Sequence, residues 1–331
     1  MKNLAKQFQN VSHQHQLWGK QSKIVLGVSG GADSTCLLAI FSQLKKTYDL
    51  ELIIAHVNYG LRGAESETDE KFVRELASKY GLEILVLNVQ PHPAPCATFS
   101  LTQEKGIGKI PSENELRDVR YAFFEKIRSA HKFDLIAVAH NLDDQAETFL
   151  MRMLRGSGLK GLGAMQFKSG RLIRPLLATP HSEILSYLNQ KKLGYRVDKT
   201  NFTLDFYRNK IRQQLIPLLE ADYNPNIKKT LFNATLSISE DEAFLESAAE
   251  KYLPEKDSLS IKKINELHPA MQKRVLRNFI ARKKLDKKNL HAAHIEELLK
   301  IIRSTKGKNQ IISLEGLKII RKNDTVTISK I

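Results

Sequence analysis

The chain has 331 residues, of which 42% are hydrophobic and 27% charged. That composition excludes disordered and fibrous classes and suits about two globular domains. Its two cysteines, Cys36 and Cys96, make neither a Cys-x-x-Cys pair nor a four-thiolate metal site, and they argue against a secreted disulfide framework. No stretch reaches the ~20 apolar residues of a membrane span, and residues 1–18 are polar with no signal-peptide core, so a cytoplasmic setting is expected.

From Lys23 onward, short apolar runs alternate with helical stretches. Ile24-Val25-Leu26-Gly27-Val28 reads as a buried strand, followed by a Ser/Gly turn and an amphipathic helix over residues 34–46. Residues 52–57 form a second strand and 66–80 a second helix. Strands at 82–89 and 135–139 follow, with helices near 113–130 and 142–154. Strands alternating with helices predict an α/β, doubly wound parallel sheet, whose ligands bind beyond the carboxyl ends of the strands. A Pro-rich excursion over residues 91–111 and a Gly-rich loop over 155–163 interrupt the rhythm. Near Asp222-Tyr223-Asn224-Pro225 the alternation ends, which predicts a catalytic domain over 1–222 and a smaller, mainly helical α+β domain over 223–331. Its expected elements are a long helix from 227 to 252, a helix through 294–302, and a closing hairpin with strands at 310–314, 317–321 and 325–329.

The formal net charge is +16, and it is unevenly spread. Residues 251–331 hold 20 basic and 8 acidic side chains, so this quarter carries +12 and residues 1–250 only +4. The densest run includes Lys283, Lys284, Lys287 and Lys288. Such a block points to a polyanion, most simply nucleic acid, with a solvated helix face as the alternative.

Val28-Ser29-Gly30-Gly31-Ala32-Asp33-Ser34 lies between the first strand and its helix. Two glycines let successive N–H groups converge into an anion nest at a helix N-terminus, and Ser29 and Ser34 add hydroxyl donors. Asp33 would repel bare phosphate, which suggests a bridging Mg²⁺. The loop lacks the Gly-Lys-Ser/Thr of Walker A. Gly156-x-Gly158-x-x-Gly161 matches the dinucleotide fingerprint but follows a helix rather than a strand, so it is rejected. At the end of the fourth strand, His140-Asn141-Leu142-Asp143-Asp144-Gln145-Ala146-Glu147 places Asp144 and Glu147 on one helix face. With His140 they suit a cationic amine or a metal, although carboxylates at a helix N-terminus are also favoured by the dipole alone. Tyr121, Phe123 and Phe124 read as core.

Ser-Gly-Gly-Ala-Asp-Ser after a strand resembles the PP-loop of the N-type ATP pyrophosphatases, which implies the adenine-nucleotide α-hydrolase fold. Within that group the chain closely resembles the tRNA(Ile)-lysidine synthetases over roughly residues 20–220. Matching segments are His56-Val57-Asn58-Tyr59-Gly60-Leu61-Arg62-Gly63, residues 113–121 with Arg117 and Arg120, and residues 140–158. Arg174-Pro175-Leu176-Leu177, Asp198-Lys199-Thr200-Asn201 and Tyr207-Arg208-Asn209-Lys210-Ile211-Arg212 continue the match. Tyr59 departs from the usual His, the Pro-rich stretch is longer, and the chain looks like the short form with one C-terminal domain.

The resemblance implies ATP-dependent adenylation of the wobble cytidine of tRNA(Ile), anticodon CAU, at carbon 2. Attack by free L-lysine would then give lysidine, AMP and pyrophosphate. Ser29, Gly30, Gly31, Ala32 and Ser34 would cradle ATP, Asp33 would hold Mg²⁺, and His140 and Arg117 would contact the nucleotide. Asp144 and Glu147 would bind lysine, Arg208 and Arg212 would contact phosphate or cytidine, and the four lysines would grip tRNA. A homodimer would be unsurprising. The competing expectations are a PP-loop tRNA thiolase, which would need reactive cysteines, and a non-catalytic nucleotide-gated RNA-binding protein.

Overall fold

In the computed structural model the described residues are 3–61, 63–89, 113–197, 207–254, 258–283, 292–304, 309–314 and 316–330. Contacts divide the chain into two compact units, residues 1–236 and 237–331.

The first unit opens with α1 (Leu4–Gln14), for which the polar N-terminus gave little warning. Leu4, Ala5, Phe8 and Ser12 nevertheless share one helix face, all are buried, and Trp18 donates to Ser12 Oγ (3.0 Å). The alternating pattern then follows: β1 (Lys23–Gly27), α2 (Ala32–Tyr48), β2 (Glu51–Asn58), α3 (Ala64–Tyr80), β3 (Glu83–Asn88), α4 (Glu113–Ala130), β4 (Leu135–Ala137) and α5 (Leu142–Leu154). A short α6 (Leu159–Leu162), two-residue strands β5 (Lys168–Ser169) and β6 (Leu172–Ile173), and α7 (His181–Gln190) come next. The last helical segment runs through α8 (Tyr207–Lys210), a π-helical stretch (Ile211–Leu215) and α9 (Ile216–Asp222).

The sheet order is β3-β2-β1-β4-β6-β5, parallel except for β5. This is the expected doubly wound arrangement with an antiparallel edge strand. Alternation sorts its two faces. Ile24, Leu26, Leu52, Ile54, Leu135 and Ala137 pack with α1, α2, α3 and α7. Val25, Ile53, Ala55, Ile136 and Val138 face Phe124 and Ile127 of α4. The chain reverses direction across the sheet between β1 and β4, so the crevice at the carboxyl ends of these two strands is the place where a ligand is expected.

Helix α10 (Ile227–Glu250) starts beyond the turn at residues 223–226. The expected boundary at 222/223 lies at the end of α9, and the compact units part further along, inside α10. The cause is that Leu231, Phe232 and Leu236 still pack onto the cores of the first unit. The second unit carries an antiparallel sheet, β7 (Ser258–Ser260), β8 (Gln310–Leu314), β9 (Leu317–Lys322) and β10 (Thr325–Lys330), in the order β7-β10-β9-β8. With it go α11 (Ile261–Asn265), α12 (Pro269–Lys283) and α13 (Ala292–Arg303). Val275, Leu276, Phe279 and Ile280 of α12 meet Ile295, Leu298, Leu299 and Ile302 of α13 over Ile319, Val326 and Ile328. No described helix is long and apolar enough to cross a membrane.

Candidate active site

The loop between β1 and α2 begins where His56 Nδ1 donates to the Val28 carbonyl (2.8 Å). Gly30 has φ +90°, and a Cβ there would stand 3.2 Å from a Val73 methyl, so only glycine fits without strain. Ser34 Oγ sits at the centre of the loop. It accepts from the N–H groups of Ser29 and Gly30 (3.2 Å each), lies 3.1 Å from Ser29 Oγ, and donates to the Gly31 carbonyl (3.0 Å). The N–H groups of the nest therefore already converge on one oxygen. Gly31 is the N-cap of α2 and makes no side-chain cap, so the first-turn amides at Ala32, Asp33 and Ser34 remain available to an anion.

Asp33 stands in that first turn. Its Oδ1 accepts from Asn141 Nδ2 (3.0 Å) and His181 Nδ1 (2.9 Å), which ties the β1 loop to the start of α5 and to α7. The bond to Asp33 raises the His181 pKa against the opposing effect of burial. Asp33 Oδ2 has no partner among the described residues, and the side chain is 32% exposed. No group of three or more His, Cys, Asp or Glu among the described residues could cage a metal. One carboxylate edge beside a phosphate nest nevertheless fits Mg²⁺, which keeps several waters and is usually shared with substrate phosphates.

Asn141 caps α5 by accepting from Asp144 N (3.0 Å), and Asp144 Oδ2 accepts from Asn141 N (3.0 Å), a reciprocal capping box. One oxygen of Asp144 is thus structural. The other accepts from Arg208 (2.8 Å) and Arg212 (3.3 Å). Glu147, one turn on and only 1% exposed, accepts from Arg208 Nε (2.6 Å) and from Arg212 Nε and Nη2. Two carboxylates and two guanidiniums balance in formal charge, so the buried Glu147 has its counter-charges beside it. Burial pushes Asp144 up to about 6, with Arg208 pulling the other way. The π-helical stretch after α8 carries Arg212, and single π turns often mark functional sites.

His140 lies past the end of β4. Burial first, and then Arg174, Arg208, Arg117 and Arg120, hold it neutral, with its pKa well below the ordinary histidine value. Its Nδ1 is buried with no partner among the described residues. Arg117 lies on α4, its guanidinium 5.3 Å from the centroid of the Tyr121 ring. Because α4 packs on the face of the sheet opposite α2, Arg117 is not a neighbour of the phosphate loop within the described bonds. Tyr59 donates to the Leu116 carbonyl (2.9 Å) and so anchors α4.

The structure thus brings Ser29, Gly30, Gly31, Ala32, Asp33, Ser34, Asp144, Glu147, Arg208 and Arg212 to one crevice through the Asp33–Asn141 bond. Lys284, Lys287 and Lys288 lie outside the described residues, and Lys283 ends α12. Within the same basic run, Lys273 pairs with Glu296, Arg274 with Glu242 and Glu246, and Arg282 donates to the Pro254 carbonyl, so these three serve the fold. Asn141 and His181 are the residues that sequence reasoning left without a role. The Asn-x-x-Asp cap was readable from spacing, whereas nothing local marked His181, 148 positions from Asp33. Cys36 is buried in α2, and burial, with Asp33 adding to it, drives its thiol pKa far up, so it supplies no thiolate. Cys96 lies outside the described residues.

The sheet order and the loop together define a PP-loop protein of the adenine-nucleotide α-hydrolase type, and a PP-loop domain is an ATP-binding domain. Residues 1–219 match the family described as a PP-loop domain, and residues 259–327 match the TilS substrate binding domain. A tRNA(Ile)-lysidine synthase of Clostridioides difficile is 33% identical over 96% of this chain and 68% of its own length. Those of Geobacillus kaustophilus and Clostridium perfringens are 34% identical, over 94% and 90% of this chain and 68% and 64% of their own. The chain belongs to the tRNA(Ile)-lysidine synthase family. It spans about two thirds of the length of these relatives. Among solved structures, the U34-tRNA thiolase NcsA from Methanococcus maripaludis, described with its [4Fe-4S] cluster, aligns with a TM-score of 0.57. The alignment has 20% identity over 72% of this chain and 78% of that one, a likeness of fold.

Proposed function

We propose that this protein uses ATP and free L-lysine to convert the wobble cytidine of tRNA(Ile), anticodon CAU, into lysidine. The cytidine O2 attacks the α-phosphorus of ATP and displaces pyrophosphate. An amine of lysine then adds at carbon 2, AMP departs with the former O2, and the amine's proton passes to a carboxylate. The observation that carries this reading is the Asp33–Asn141 bond, which holds a phosphate nest and a carboxylate pair at one sheet edge.

The amides of the first turn of α2, joined by those of Ser29 and Gly30 once Ser34 Oγ yields them, bind and orient the phosphates as negative charge develops on the leaving pyrophosphate. Asp33, with one carboxylate edge open, would hold Mg²⁺, which would supply further charge neutralisation there. Asn141 and His181 fix the rotamer of Asp33. Asp144 and Glu147 receive the lysine ammonium. Arg212, at 39% exposed the more accessible guanidinium, gives up its place on Glu147 to that amine. Asp144, its pKa raised by burial, accepts the proton that leaves a neutral amine. Lys283, Lys284, Lys287 and Lys288 of the C-terminal domain hold the tRNA backbone.

The test is pyrophosphate release from ATP with a CAU-anticodon tRNA(Ile) transcript, with and without lysine. Release that requires the transcript, and lysine uptake into it, are expected. ATP turnover indifferent to the transcript would refute the reading.

A further inference from the structure

The face of the sheet away from the phosphate loop carries a second polar feature at its carboxyl edge. Strand alternation sets its floor. Ile136 and Val138 point toward α4, Leu172 pairs with Ile136, and Val138 N donates to Ile173 O (3.1 Å). Arg174, two residues after Leu172, and His140, two after Val138, continue that side. The stripe of α4 that covers this face runs through Arg117, Arg120 and Tyr121 to Phe124 and Ile127, so the arginines lie one turn toward the strand ends from the apolar contacts.

Three of these side chains carry buried atoms without a hydrogen-bond partner among the described residues: His140 Nδ1, Arg120 Nε and Arg174 Nε. Arg174 is 6% exposed, and its partners, the Gln166 carbonyl (2.8 Å) and the Tyr121 side chain, are neutral and leave its charge uncompensated. No carboxylate among the described residues pairs with Arg117, Arg120 or Arg174. A buried guanidinium without a counter-charge, here that of Arg174, is strongly unfavourable, and the partly buried Arg120 beside a neutral imidazole adds to the cost. An anion placed here would supply the missing counter-charge.

We propose that Arg174, Arg120 and His140 form an anion pocket that takes the α-carboxylate of the amino-acid substrate. The inference rests on lysine being that substrate. A free amino acid is a zwitterion, and Asp144 and Glu147 provide only for its amines. The three orphaned atoms are shielded from solvent, which suits a small carboxylate better than the phosphate of a polynucleotide. Planar guanidinium forks match a carboxylate's two oxygens.

The test compares L-lysine with 1,5-diaminopentane, which keeps both amines and the chain but lacks the carboxylate. The ratio of their kcat/KM values is measured on wild type, Arg174→Met and Arg120→Met. Both amines meet the same enzyme sample, so partial loss of folding cancels in the ratio. A charge-assisted contact predicts that wild type prefers lysine by roughly ten- to a hundredfold, and that either variant brings the ratio close to one. A ratio unchanged in both variants overturns the proposal. So does an unchanged ratio with weakened tRNA binding, which would assign the pocket to an RNA phosphate. If wild type incorporates neither amine, the lysine reading itself fails.

Discussion

Replacing Asp144 with Asn separates the amine end of the site from the nucleotide end. The variant keeps an oxygen for Asn141 N, so the cap of α5 survives, and it loses the charge that Arg208 and Arg212 share. An ammonium bound there would lose one charge-assisted hydrogen bond, worth about 1.5–3 kcal/mol. The lysine KM should therefore rise by roughly ten- to a hundredfold while the ATP KM stays within a few-fold. Stability moves the other way. Burial lifts Asp144 from 3.8 to about 6, so the folded protein binds a proton more readily than the unfolded chain. That contribution is complete below the unfolded value and is lost as pH rises through about 6, a change of roughly 2–3 kcal/mol. Above pH 7 the Asn variant should unfold no more easily than wild type, and its advantage should vanish near pH 4. Steady-state kinetics with each substrate varied, and denaturation at both pH values, decide the matter. A raised ATP KM with the lysine KM unchanged would move this carboxylate to the metal–nucleotide end and refute the reasoning.

Asp33→Asn can still accept from Asn141 and His181, so unfolding should shift by less than roughly 1 kcal/mol while pyrophosphate release collapses; near-normal release removes the role in holding Mg²⁺. Arg274→Ala strands Glu242, which is 15% exposed, and should destabilise the second unit by about 2–4 kcal/mol in urea denaturation, whereas an unchanged midpoint would show the pair to be idle. Changing Lys283, Lys284, Lys287 and Lys288 together to Gln should flatten the salt dependence of tRNA binding, by about 0.7–0.9 in log–log slope per lost phosphate contact, with little change in rate at saturating tRNA. An unchanged slope would make the run a solvated face.

Much of the architecture was legible because its signals are local. The apolar runs that became β1 and β2 alternate between two cores, and the hairpin turn at Asn323-Asp324, with Asn323 at φ +52°, separates two strongly patterned strands. The false dinucleotide fingerprint was dismissed from its helical context, and Gly156 and Gly158 indeed follow α5. Helix α1 was missed because its surroundings are polar, although Leu4, Phe8 and Ser12 recur every four residues. Strands β5 and β6 are two residues each, too short for any period to register. In the candidate site, the residue types were readable but their pairing was not. Sequence assigned Asp144 and Glu147 to a ligand, and only folding revealed that Arg208 and Arg212 hold them meanwhile. The same holds for His181, whose partner Asp33 comes from a distant element.

The most direct measurement is the identity of the wobble nucleoside after reaction. A CAU-anticodon tRNA(Ile) transcript incubated with the protein, ATP and isotopically labelled lysine would be digested and its nucleosides weighed by mass spectrometry. The account predicts that cytidine at the wobble position gains the mass of lysine less one water and carries the label, only when ATP is present. An unmodified cytidine beside consumed ATP, or label bound elsewhere in the transcript, would contradict it.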